Sequence, residues 1–285
     1  MTVVQPATVA PETSEVVPNS SKNGELAAFF GCTFAITWGL AALLVFFPNL
    51  VARVFGEFST KSPLYYLAIY APSLVALSLS YWRHGGRGAL RLIGTLRPRA
   101  ASIPFYALVL FGWLGVQALA LVLQGLADGT PPAWPDFSRW YMAPVVLVVT
   151  LATNPGPLGE ELGWRGYALP RLLSGSRSAL SAAVVLGVTW GVWHLPRFFI
   201  AASPHEVPMG IIWLLLSTTL LSVMMTWLFR RTNGDVLAAG VLVHLMMTNF
   251  TTARLPFLDL ACAPLAIAAA VALVREQRPG PSPAE

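Results

Sequence analysis

Apolar residues fall in long runs along this chain, not at the one-sided spacing of a surface helix or the alternation of a half-buried strand. Such runs occupy 26–47, 64–82, 103–127, 140–153, 158–173, 178–195, 208–229, 236–250 and 256–274. A helix needs about 20 mostly apolar residues to cross a hydrocarbon layer roughly 30 Å thick. The runs 140–153 and 158–173 are each too short to cross alone, and Asn154-Pro155-Gly156-Pro157 between them breaks a helix, because proline removes a backbone donor and clashes with the preceding turn. Joined, they form one interrupted element. The pattern predicts an all-α, polytopic membrane protein of about eight transmembrane helices, and its long segments argue against a lipid-facing β-barrel.

Composition agrees: 55% of the 285 residues are hydrophobic and only 11% charged, where a soluble domain carries about a quarter charged. Residues 1–24 are rich in Pro, Ser, Thr and Asn and lack a basic run leading into a short apolar stretch. They read as a disordered cytoplasmic tail and not as a cleavable signal. Residues 25–275 then form a single transmembrane helical domain and 276–285 a second disordered tail. With the N-terminus inside, 13 of the 18 basic residues fall on inside connections, and Arg53, Lys61, Arg139, Arg197 and Arg254 fall outside. That bias predicts a multi-pass protein of the cell membrane with both termini cytoplasmic. The net charge of +5 is spread over short connections, which suits membrane lipids and speaks against a nucleic-acid partner. Cys32 and Cys262 have no neighbouring His, so thiol chemistry is the weakest option.

The stretch Gly159-Glu160-Glu161-Leu162-Gly163-Trp164-Arg165-Gly166-Tyr167 puts two carboxylates into an apolar region, which is unfavourable unless they face partners or a wet cavity. On a helix Glu161 and Arg165 are four apart and can pair, with the acid on the favourable side. Glu160 points about 100° away and lacks that cation; it is left available as a general base. The plainer alternative is an interfacial helix with solvated charges. A second group is Trp190-Gly191-Val192-Trp193-His194-Leu195-Pro196, with Trp190 and His194 on one face. A third is His244, followed by Thr248 one turn on and Asn249 beside it. Buried His is often only a satisfied core residue, but two on separate crossings beside a Glu pair weaken that reading. Measured from the turn near Gly175, Glu160 and His194 rise about 21 and 26 Å, whereas His244 rises only about 14 Å from Asp235. For the three to meet, the helices must tilt or the last turn must lie deeper.

Glu160-Glu161-x-x-x-Arg165, the Trp190 to His194 pair with Leu195-Pro196, and a later buried His244 together resemble the CAAX protease and bacteriocin-processing (CPBP, or Abi) family of intramembrane proteases. The resemblance covers roughly 140–250 and implies a fold like that of type II CAAX prenyl proteases, with the catalytic core in that segment. It further implies that Glu160 and His194 activate the attacking water, that Glu161 and Arg165 hold the site, and that His244 and its neighbour stabilise the oxyanion. This chain departs from the family pattern at Thr248, where Asn is common, and at Trp190, where Phe is frequent. Asn249 can take the missing place only if the helix is locally distorted.

Peptide hydrolysis needs a deprotonated water and a stabilised tetrahedral oxyanion, and a Glu/His pair opposite a second His supplies both. Glu160, His194 and His244 are equally a set that could hold Zn²⁺, as the family's naming as metalloproteases implies. The residues leave both routes open. The reading is an intramembrane endopeptidase acting on a peptide or membrane-protein substrate. Two other classes stay in play: a non-catalytic immunity or scaffolding protein, and an ion- or proton-coupled transporter, against which the lack of an internal repeat counts.

Overall fold

The computed structural model describes residues 19–136, 138–175, 178–200 and 209–276, and every extended regular element among them is a helix. The tails expected at 1–24 and 276–285 lie outside these residues over 1–18 and 277–285, as do Arg177, His205 and Arg278. In chain order the helices begin with α1 (Asn19–Phe46), the short α2 (Pro48–Phe55), α3 (Pro63–Gly94) and α4 (Ile103–Asp128), followed by α5 (Ala143–Thr153) and α6 (Pro155–Glu161). A π-helical stretch, Leu162–Ala168, joins α6 to α7 (Leu169–Leu173). Then come α8 (Ala179–Trp193), α9 (Met209–Arg231), a second π-helical stretch at Leu237–Val241, α10 (Leu242–Asn249) and α11 (Leu255–Arg275).

Among the described residues six spans, built on α1, α3, α4, α8, α9 and α11, are long and apolar enough to cross a membrane. A seventh is the interrupted element, Trp140–Thr153 and Pro155–Leu173, bent by 61°. The break falls at Asn154, whose extended backbone ends α5 and whose side-chain oxygen accepts the Gly156 N–H to cap α6. Proline at position 155 forces this, since the residue before a proline is pushed out of the α region while proline itself suits the first helical position. The expected eighth crossing, 236–250, is corrected to a shorter apolar helix, Leu237–Asn249. Its neighbours explain how so short a helix fits. Tyr106, near the start of α4, donates to Asp235. Trp113 donates to the Phe250 carbonyl, Gln117 accepts from Thr252, and Gln124 and Asp128 accept from Arg254. Residues 235–254 therefore track α4 almost end to end, with the non-helical 250–254 supplying the length that the helix lacks.

Packing concentrates around α6 and the π-helical turn after it. Gly163 lies against the kink-prone Pro72 of α3 so closely that a Cβ there would be 2.5 Å from the Pro72 backbone. From the other side Phe29 of α1 meets Trp164 edge-on at 5.4 Å and stacks obliquely on Tyr167. Helices α8 and α9 are tied by the Ser222 hydroxyl donating to the Ala183 carbonyl at 2.8 Å, the kind of polar link that joins helices where lipid offers no hydrophobic drive. Large apolar side chains, among them Leu43, Phe111, Leu126, Val148 and Ile267, stay exposed on the outside of the bundle. That is the surface a polytopic protein presents to lipid.

Candidate active site

Glu161 is fully enclosed, at 0% exposure, and so is Arg165; this overturns the interfacial helix with solvated charges. Their pairing is the one that the four-residue spacing predicts: one Arg165 Nη donates to Glu161 Oε1 at 3.0 Å and lies 3.0 Å from Oε2. The same Oε1 is 2.9 Å from Nδ1 of His244. A carboxylate only accepts, so Nδ1 carries the hydrogen and Nε2 is the nitrogen turned elsewhere. Gly240 makes this contact possible, because a Cβ there would come within 2.9 Å of Glu161 Oε2. The height mismatch of His244 is resolved by where its helix starts. Asp235 is itself buried, caps the turn by accepting the Ala238 N–H, and the Val236 N–H donates to the Thr95 carbonyl. The turn thus begins inside the bundle and not at its surface.

Glu160, only 2% exposed, faces α8. The Trp190 indole N–H donates to Glu160 Oε2 at 2.7 Å, and the Arg165 guanidinium lies over the same indole, 4.3 Å from its ring centre. His194 follows one turn later. Its Nδ1 is 3.0 Å from the Trp190 carbonyl, an acceptor, so Nδ1 again holds the hydrogen and Nε2 presents its lone pair. That Nε2 lies 3.8 Å from Glu160 Oε2. Two acceptors at this separation fit one water that donates a hydrogen to each, with arms of about 2.8 Å.

The polar residues on the open side form a chain. Thr248 donates its hydroxyl to the His244 carbonyl at 2.9 Å. Asn249 gives its Nδ2 hydrogens to Thr248 Oγ1 and the Leu245 carbonyl, and its Oδ1 accepts from Nδ2 of Asn154 at 2.8 Å. The two residues read as partners of His244 therefore have no donor left, which corrects the expectation that one of them turns a hydrogen toward the site. The helix distortion expected to bring Asn249 round does exist as the π-helical stretch, but it precedes His244 and leaves 242–249 regular. Facing this chain, Gly156 leaves a small space. A Cβ on it would be 3.3 Å from Asn154 Oδ1 and 3.6 Å from both Glu160 Oε1 and His244 Nε2.

Residues 140–250, the segment that brings these groups together, match the family described as type II CAAX prenyl endopeptidase Rce1-like. The likeness to that family is confined to this segment, well under half of the 285 residues. A curated protein of Methanococcus maripaludis, named CAAX prenyl protease 2, is 31% identical over 111 residues, a match covering 37% of this chain and 39% of that protein. The chain thus spans well under half the length of the relative it matches.

Within that matched segment, Glu160, His194 and His244 do not close into a ligand set. Among the described residues no three His, Cys, Asp or Glu side chains converge as metal ligands. Glu160 Oε2 is occupied by the Trp190 indole, and both His have their Nδ1 tied to other acceptors. Three participants are not evident from the sequence pattern. Trp190 stands there only as a motif aromatic, yet it reaches Glu160 with its N–H and Arg165 with its ring. Asn154 and Gly156 stand there only as helix breakers. A signal was present for Asn154, since Asn before Pro and a helical run is a cap, but its link to Asn249 depends on tertiary placement.

Proposed function

We propose that the chain is an intramembrane endopeptidase that hydrolyses peptide bonds of membrane-associated peptides or proteins, with CAAX-type substrates as the class suggested by the relative's name. The observation that carries this reading is the buried Glu160, held by Trp190 on one oxygen and 3.8 Å from His194 Nε2, across from His244. In the reaction a water between Glu160 and His194 gives a proton to Glu160 as its oxygen attacks the scissile carbonyl carbon. The carbonyl oxygen becomes an oxyanion on the His244 side, where Nε2 donates when the ring is doubly protonated. Collapse breaks the C–N bond, and the departing amine takes the proton back from Glu160. Glu161 takes no proton in this scheme; with Arg165 it fixes the imidazole of His244, while Thr248 and Asn249 support the same helix. Lipid surrounds the bundle, so an apolar or membrane-presented substrate has direct access.

The test is cleavage of a membrane-peptide library by the detergent-purified chain, read by mass spectrometry. Wild type is expected to cut, and Glu160→Gln, His194→Ala and His244→Ala are expected to lose cleavage while keeping their melting temperatures. Cleavage at the wild-type rate in folded Glu160→Gln would overturn the reading.

A further inference from the structure

Away from the site, α4, α9, α10 and α11 enclose a cavity of about 350 Å³, within the range of pockets that hold small molecules, roughly 300–1,000 Å³. Small residues make the room: Gly112 of α4 and Ala268, Ala269 and Ala272 of α11 line it. In a membrane bundle such residues usually let two helices close on each other. Here the space remains, and a Cβ added at Gly112 would find only Leu108 Cδ1, 4.0 Å away. Walls left without an occupant forfeit dispersion contacts, so a molecule that fills the cavity stabilises the bundle. Lipid can reach it, because Leu108 and Leu265 on its wall are both exposed. It runs from Arg231 to Met224 on α9 and from Ala272 to Leu265 on α11, about 10 Å along each helix.

The lining selects the occupant. Arg231 is the one charged residue among the described ones that line the cavity; a peptide strand there would leave its backbone groups unpaired, whereas a hydrocarbon chain has none to satisfy. At the Arg231 end, Arg230 and Arg231 both pair with Glu276, at 3.2 and 3.0 Å. Arg275, in the last turn of α11, stands next to Glu276 and is exposed. Three guanidiniums thus gather around one carboxylate, on the face that the basic residues predict to be cytoplasmic, where the leaflet carries anionic lipids. A chain attached to the peptide being cut fits poorly. No residue of α6 or α8 lines the cavity, and Val243 and Met246 form its wall on α10 while His244 between them turns to Glu161. Such a chain would have to cross α10 to join a peptide at Glu160. We propose that the cavity is a binding site for an anionic phospholipid, with one acyl chain among α4, α9, α10 and α11 and the phosphate held by Arg231 and Arg275. The chain packs on Val243 and Met246 and so braces, from behind, the helix that presents His244.

The experiment titrates delipidated, detergent-purified protein with dioleoyl phosphatidylglycerol or dioleoyl phosphatidylcholine, reading melting temperature and, by native mass spectrometry, the number of lipids bound. Phosphatidylglycerol should bind one per chain and, at a hundredfold excess over its dissociation constant, raise the melting temperature by about 5 °C or more. With two cations on the phosphate side it should bind roughly tenfold or more tighter than phosphatidylcholine. Gly112→Leu and Ala268→Leu, which fill the cavity, should lose the bound lipid. Arg231→Gln combined with Arg275→Gln lies at the exposed rim, leaves Arg230 paired with Glu276, and should bind the two lipids equally. Equal binding of both lipids by wild type, or wild-type phosphatidylglycerol binding in the folded Arg231→Gln, Arg275→Gln protein or in either folded filled variant, overturns the site. Displacement of the lipid by a farnesylated peptide overturns it in favour of a substrate chain. The bracing of His244 rests on the peptidase reading: phosphatidylglycerol should raise kcat of wild type severalfold and leave Gly112→Leu unmoved. Lipid binding as described in a folded protein that cleaves nothing upholds the site and overturns the peptidase reading alone.

Discussion

Trp190 does two things that a phenyl ring would separate: its N–H holds Glu160 Oε2 and its face carries the Arg165 guanidinium. Trp190→Phe should keep the platform and lose the hydrogen bond. A hydrogen bond to a charged group contributes about 1.5–3 kcal/mol, so turnover should fall at least about tenfold with little change in melting temperature; unchanged turnover would show that Glu160 is aimed by something else. The two adjacent carboxylates should separate in the opposite manner. Glu161→Gln removes the charge that pairs with the buried Arg165 and leaves one acceptor oxygen where Arg165 and His244 share two, a change of about 3–5 kcal/mol for a broken buried pair, and should lower thermal stability together with activity. Glu160→Gln can still accept from Trp190 and should keep the fold while turnover disappears. A Glu161→Gln protein as stable as wild type would refute the division. The Glu161–Arg165 pair was legible in the sequence because four-residue spacing alone creates it. The partner of Trp190 was not, because the rotation of α8 against α6 is set by packing between separate elements.

At the scale of elements, the break at Asn154-Pro155 and the long apolar helices could be read directly, since proline chemistry and run length are local. The two π-helical stretches, Leu162–Ala168 and Leu237–Val241, left no comparable mark in the sequence. They flank the site on both sides, where such bulges often occur, and Gly240 of the second lies against Glu161, the last residue of α6 before the first. The buried cap at Asp235 was also invisible, because an Asp after Asn233-Gly234 reads as a surface turn until Tyr106 and Thr95 are seen against it. Gly240→Ala tests this junction. Its methyl would stand 2.9 Å from Glu161 Oε2, and overpacking of this kind destabilises by about 1–3 kcal/mol. The expected result is a lower melting temperature and reduced turnover, and an unperturbed variant would mean that the π-helical stretch yields without moving Glu161.

For the whole molecule, the candidate spans among the described residues stop at seven, and counting the path of 235–254 along α4 as a further traversal would make the number even. On that count both termini are expected on one face, and the distribution of basic residues predicts that this face is the cytoplasmic one. Reporter fusions after Gly86 and Asp128 should read inside and outside respectively; the reverse pair, or the same side for both, would overturn this topology. The bond between Glu161 and His244 reaches across 83 positions of sequence, and it has a consequence for biosynthesis. Membrane helices are delivered in order, N-terminal ones first. A half-made copy on the ribosome already holds Glu160 and then His194, but lacks His244 until residue 244 has been made and docked. On the proposed peptidase reading, unfinished copies would therefore spare neighbouring proteins in the bilayer, and the capacity to cut would arrive in a single late step.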